Sequence, residues 1–177
     1  MFDEEGVCLS CRYFERKEKF DWKTKEKELK DILDQHRSKD GSYDVVVPGS
    51  GGKDSIWTSI LLKEKYKMNP ITVTWAPGLY TDIGWKNYNS WISYGFDNYL
   101  FTANKKIHGL LTRLAFLNLL HPFQPFVLGQ NSFSSRFAYS RGIKLVIYGD
   151  GMAEKFIGKI NEVDLKDKKD HKIMKHH

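Results

Sequence analysis

Val45-Val46-Val47-Pro48-Gly49-Ser50-Gly51-Gly52-Lys53-Asp54-Ser55 is the stretch on which the fold turns. Three consecutive β-branched apolar residues predict a short strand covered on both faces. A glycine loop follows. Helical spacing then begins, predicting a helix from Ser55 to about Lys67 with Ile56, Trp57, Ile60 and Leu61 facing inward. A strand that runs through a glycine loop into a helix is the opening unit of a parallel α/β sheet, where ligands collect at the carboxyl ends of the strands.

Each residue type in the loop has a physical use there. Gly51 and Gly52 permit positive φ and remove Cβ atoms, so backbone N–H groups can close on phosphate oxygens. The start of the next helix adds donors and a partial positive charge. Ser50 and Ser55 bring hydroxyls, Lys53 a full charge, and Asp54 a carboxylate suited to a Mg²⁺ ion shared with phosphates. Two better-known loops are excluded. Aligning a Walker A lysine on Lys53 puts Val47 where the first glycine belongs and Asp54 where Ser or Thr belongs. A dinucleotide G-x-G-x-x-G started at Gly49 ends on Asp54. The bland alternative is a glycine turn with a surface lysine.

Outward from the loop, strands and helices alternate. Asn69-Pro70 ends the first helix and Ile71–Trp75 reads as the second strand. A helix is predicted from Trp85 to Tyr94, a third strand over Tyr99–Phe101 and a helix from Lys105 to Leu120. Phe126–Leu128 and Lys144–Tyr148 read as further strands with a weaker helix between them. The fold class expected is α/β, a doubly wound, mostly parallel sheet with helices on both faces. A preface precedes it: a Cys8-x-x-Cys11 knuckle, then a charged helix from about Asp21 to Arg37, capped by Asp21. The expected division is residues 1–41, an α/β nucleotide-binding domain over 42–154, and a charged, poorly ordered tail over 155–177.

The bulk numbers constrain function loosely. With 41% hydrophobic and 28% charged residues, the 177-residue chain has the balance of a globular protein with its own core. The net charge of +6 favours anionic partners without naming one. No apolar run approaches the ~20 residues of a membrane helix, and Met1-Phe2-Asp3-Glu4-Glu5 lacks the order of a secretory signal. Two cysteines make no disulfide framework. A cytoplasmic location is the default expectation, with no membrane partner.

Ser50-Gly51-Gly52-Lys53-Asp54-Ser55 resembles the signature of the PP-loop ATP pyrophosphatases. Phe2-Asp3-Glu4-x-Gly6-Val7-Cys8-x-x-Cys11, Asp21-Trp22 and Gly41-Ser42-Tyr43-Asp44 narrow the likeness, as do Val73-Thr74-Trp75, Gly95-Phe96-Asp97 and Pro122-Phe123-Gln124-Pro125-Phe126. Together they resemble the N-acetyl sugar amidotransferases of surface-polysaccharide (lipopolysaccharide) and flagellin-glycan synthesis, from Phe2 to about Glu154. The resemblance implies a transferase that uses ATP and Mg²⁺ to adenylate an acetamido oxygen of a sugar or nucleotide sugar. Ammonia from a separate glutaminase subunit then displaces AMP. It also implies that Ser50, Gly51, Gly52, Lys53 and Ser55 hold pyrophosphate, with Lys53 and Asp54 at the chemistry. Thr74 and Trp75 would lie near adenine, and Thr102, Arg113 and Gln130 on the substrate side. Asp54 and Asp150 would be Mg²⁺ ligands, and Cys8 and Cys11 one half of a zinc site.

The chain departs from that pattern in three ways. Two thiolates do not complete a tetrahedral zinc site, and His36 is the remaining candidate. Gly149-Asp150-Gly151 stands where the family reads Gly-Glu-Asn. Against the family, the chain reads as truncated at both ends. Other functions compatible with the loop are tRNA modification, although no RNA-binding module is visible, and nucleotide binding without turnover. Nucleic acid is otherwise not an expected partner, and a homo-oligomer is compatible with the sequence.

Overall fold

Helices form where the chain offers caps and one apolar stripe, and strands where β-branched residues run together. In the computed structural model, which describes residues 2–149, these signals give six helices and three strands among the described residues. The described part falls into two units, residues 2–28 and Leu29–Gly149.

In the first unit, helix α1 (Leu9–Glu18) follows a tight turn. The Asp3 carboxylate accepts from Val7 N at 2.8 Å and from Arg12 Nε at 2.7 Å, and Phe2 bridges to Cys8. These contacts hold the Asp3 carboxyl below its ordinary range, the Arg12 bond contributing most. Helix α2 (Trp22–His36) begins in this unit, and Asp21 caps it as expected. The Asp21 carboxylate accepts from Lys23 N and Thr24 N.

The second unit carries the sheet, whose strands β1 (Val45–Pro48), β2 (Pro70–Trp75) and β3 (Asn98–Phe101) are parallel in the order β1-β2-β3. Val45 lies opposite Pro70 and Thr72 opposite Asn98. Helix α3 (Lys53–Ile60) links β1 to β2 and runs on as a π-helical turn over Leu61–Lys65. Helix α4 (Asp82–Ser93) links β2 to β3, and α5 (Lys105–Leu119) and α6 (Gln124–Ser140) follow.

Side-chain alternation along β1 divides the core in two. Val45 and Val47 pack with Leu33, Leu62 and Met68 on one sheet face, while Val46 joins Val73, Phe137 and Ala138 on the other. A third cluster of Tyr88, Trp91 and Phe96 lies between α3 and α4. The architecture is a mixed α/β unit with a small parallel sheet flanked by helices.

Three expectations are corrected. Phe126–Leu128 is the first part of α6 and not a strand: Pro125 stands in its first turn, and Gly129, Phe133 and Phe137 continue a helical stripe against the sheet. The strand expected over Lys144–Tyr148 is reduced to one parallel bridge, Val46 to Val146. Two hydrogen bonds frame it, Val46 N to Leu145 O and Ile147 N to Val46 O. Along α3, Trp57 faces outward and is 61% exposed. Ser55, Ser59 and Leu62 take the inner positions, because the Trp91 indole donates to Ser59 Oγ at 3.2 Å and fills that space. The tail over residues 155–177 lies outside the described residues.

Candidate functional site

The glycine loop ends β1 and begins α3, and its geometry follows from a close approach to α4. Gly51 is buried with φ +86°, and a Cβ there would stand 2.7 Å from the backbone N and Cα of Tyr88. Only glycine meets both demands. Gly52 caps α3 in an extended conformation, and the first helical hydrogen bond runs from Ile56 N to Gly52 O at 3.1 Å. The first turn of α3, as in any helix, directs its N–H groups out of the end.

The side chains divide by exposure. Ser50, Lys53 and Asp54 are exposed, and Lys53 Nζ lies 2.8 Å from Asp54 Oδ1 and 3.1 Å from Oδ2. Ser55 turns inward, its hydroxyl donating to Gly52 O at 3.0 Å. Four residues on, Ser59 Oγ donates to Ser55 O at 2.7 Å and ties the loop to the buried Trp91. Gly149 closes the loop from the other side. A Cβ on it would stand 2.7 Å from the Asp54 backbone, so the chain leaving the Val146 bridge runs against the start of α3. Asp150 itself lies outside the described residues.

An aromatic wall stands beside the loop. The Tyr88 ring stacks on Trp85 at 5.3 Å and 17°, and Tyr80 meets Trp85 edge-on at 5.0 Å. Burial pushes both the Tyr80 and the Tyr88 phenols above their ordinary value. Sequence reading missed this wall, and its signal was the recurrence of Tyr80, Trp85 and Tyr88 around the start of one helix.

Thr74 and Trp75 have different surroundings. Thr74 is fully buried, and its hydroxyl accepts from Asn98 Nδ2 at 3.2 Å. Asn98 also donates to Thr72 Oγ1 and accepts from the Tyr88 hydroxyl, at 2.8 and 2.6 Å. That network knits β2, β3 and α4 together, so the Thr74 side chain is a packing element. Trp75 ends β2 half-buried between Phe101 and Phe133. Gly129 of α6 lies against its indole edge, and its Nε1 is buried with no acceptor among the described residues.

The expected substrate-side residues are dispersed. Thr102 follows β3 and lines a cavity of about 180 Å³ with Pro77, Gly78, Lys105 and His108, at the carboxyl ends of β2 and β3. Arg113 is exposed on α5. Gln130 was expected at a strand end but lies within α6, since the strand meant to precede it is helix. His108, absent from the sequence reading, has a buried Nε2 with no partner among the described residues.

Cys8 and Cys11 lie at the start of α1, Cys8 half-buried and Cys11 exposed. The N–H groups of Cys11 and Ser10 draw the Cys8 thiol below its ordinary value, while the bond from Cys8 and its charge push Cys11 up. His36 lies 2.9 Å through Nδ1 from Ile32 O of its own helix. No group of three or more His, Cys, Asp or Glu placed to hold a metal occurs among the described residues.

Comparison with known proteins adds little to this geometry. No family model matches the chain. An uncharacterized protein of Methanocaldococcus jannaschii is 34% identical over 76 residues, which cover 41% of this chain and 26% of that protein. The chain thus matches about a quarter of that relative's length. No helix among the described residues is long and apolar enough to cross a membrane.

Proposed function

We propose that the chain is the nucleotide-binding part of a PP-loop ATP pyrophosphatase with a doubly wound fold, acting in the cytoplasm as an amidotransferase on an N-acetyl sugar. The observation that carries this reading is the loop. Its buried Gly51 is held at positive φ against Tyr88, while Ser50 and Lys53 stand exposed at the carboxyl end of β1 and the start of α3. Such a nest of backbone donors beside a lysine suits a pyrophosphate anion.

In the proposed reaction the acetamido oxygen attacks the α-phosphorus of ATP and the bond to pyrophosphate breaks. Ammonia supplied by a glutaminase subunit then adds to the activated carbon. AMP leaves with the former amide oxygen, giving an acetamidino group. Lys53 and the loop N–H groups would stabilise charge on the departing pyrophosphate. Asp54 fits a Mg²⁺ ligand once Lys53 turns from it to the phosphates, and Mg²⁺ would supply further charge neutralisation. Cys8 and Cys11 alone do not make a zinc site, so no role is assigned to zinc.

The test is AMP formation from labelled ATP and Mg²⁺ with ammonium and a panel of acetamido nucleotide sugars. Sugar-dependent AMP that is lost in Lys53→Ala is the expected result. AMP that depends on tRNA would move the chain to the tRNA-modifying enzymes. ATP binding with no AMP under any condition would leave a nucleotide-binding module.

A further inference from the structure

Helix α5 is apolar where it should be polar. Its inner residues, His108, Thr112 and Ala115, are partly or fully buried. Ile107, Leu110, Leu114 and Leu117 recur three and four residues apart on the opposite side, at 59%, 57%, 45% and 63% exposure. Leu111 and Leu128 carry the stripe across a cavity of about 630 Å³ between α5 and α6. Phe116, Leu119, Leu120 and Phe123 are exposed as well. The stripe of Ile107, Leu110, Leu114 and Leu117, with Leu111 and Leu128 beside it, forms an exposed apolar face.

We infer that a second copy of this chain covers this face, with the two α5 helices packed antiparallel about a two-fold axis that crosses the outer stripe midway between Leu110 and Leu114. The pattern is self-complementary. A two-fold at that point sets Ile107 opposite the other copy's Leu117 and Leu110 opposite its Leu114, so each aliphatic residue meets another. Charge points to the same arrangement. Helix α5 has Lys105 and Lys106 in its first turn, no acidic residue there, and no basic residue in its last turn. This is the reverse of what the helix dipole favours. Antiparallel pairing brings those lysines beside the carbonyl end of the other α5. Leu111 and Arg113, the remaining α5 cation, flank the stripe about a quarter-turn to either side.

An acidic partner would find cations here too, since residues 98–149 contain no Asp or Glu. It would have no reason to match an apolar pattern that is symmetric about the middle of the helix.

The experiment is sedimentation equilibrium of the full chain at micromolar concentration, with two sets of variants. The wild type is expected at twice the chain mass. Leu110→Glu with Leu114→Glu is expected at the chain mass, with unchanged far-UV circular dichroism. In a Cys8→Ser, Cys11→Ser background, Leu111→Cys should form a disulfide-linked dimer under mild oxidation, because the two-fold brings this position close to its own copy. Leu117→Cys, near the helix end, should not. A monomeric wild type, or a dimer that survives both glutamates, would overturn the proposal. Equal crosslinking at the two positions would overturn the antiparallel arrangement.

Discussion

The glycine loop and the α5–α6 side belong to the same sheet unit but are finished differently. Around the loop, space is used up: Gly51 touches the Tyr88 backbone, Gly149 touches Asp54, and Trp91 reaches Ser59 through a hydrogen bond. Around α5, leucines stand in solvent. Close packing through backbone leaves no tolerance for added atoms, whereas an open apolar face tolerates almost any change within the single chain. The first region is therefore expected to be sensitive in stability and ligand binding, and the second in association.

The largest effect should come from Gly51→Val, which forces a branched side chain into Tyr88 at a φ that such residues rarely adopt. A loss of about 3 kcal/mol or more is expected in urea unfolding, together with loss of nucleotide binding. Trp91→Ala should cost about 3–5 kcal/mol, since it empties a fully buried site and leaves Ser59 without its donor. An effect below about 1 kcal/mol at either position would break the claim that the loop is braced by α4.

Lys53→Ala separates function from stability. The side chain is exposed and its contact with Asp54 lies at the surface, so unfolding should change by no more than about 0.5 kcal/mol. Turnover should nonetheless fall by about 10²-fold or more. Equal damage to both would make the lysine a structural residue.

Much of the first region was legible in the sequence. Val45–Val47, all three β-branched, pointed to a covered strand, and a glycine run leading into helical spacing set the loop at its end. What brackets the loop was not legible, because the partners come from distant segments: Tyr88 from α4 and Gly149 from beyond α6. The strand mistaken at Phe126–Leu128 shows the same limit. Three apolar residues fit either period, and only the later Phe133 and Phe137, packed on the sheet, decide for a helix. The burial of Thr74 and its bond from Asn98, a neighbour on β3, were likewise not legible, because that partner comes from a distant segment.

The smallest effect concerns Tyr88. Burial raises its phenol above the ordinary value of 10, so the folded chain holds this proton more tightly than the unfolded chain does. The resulting stability is whole below about pH 10 and is lost as pH rises through the higher folded value. Tyr88→Phe should cost about 1 kcal/mol at neutral pH, through the lost bond to Asn98. It should also flatten the alkaline decline in a melting-temperature series. An unchanged decline would assign it to other groups.

The central claim, that the loop from Ser50 to Ser55 grips nucleotide phosphate, is met most directly by calorimetric titration of ATP with Mg²⁺ into the wild type and Lys53→Ala. The account predicts saturable binding that pyrophosphate competes away and that weakens at least tenfold in the variant. Absence of saturable binding in the folded wild type, or equal affinity in both, would contradict it.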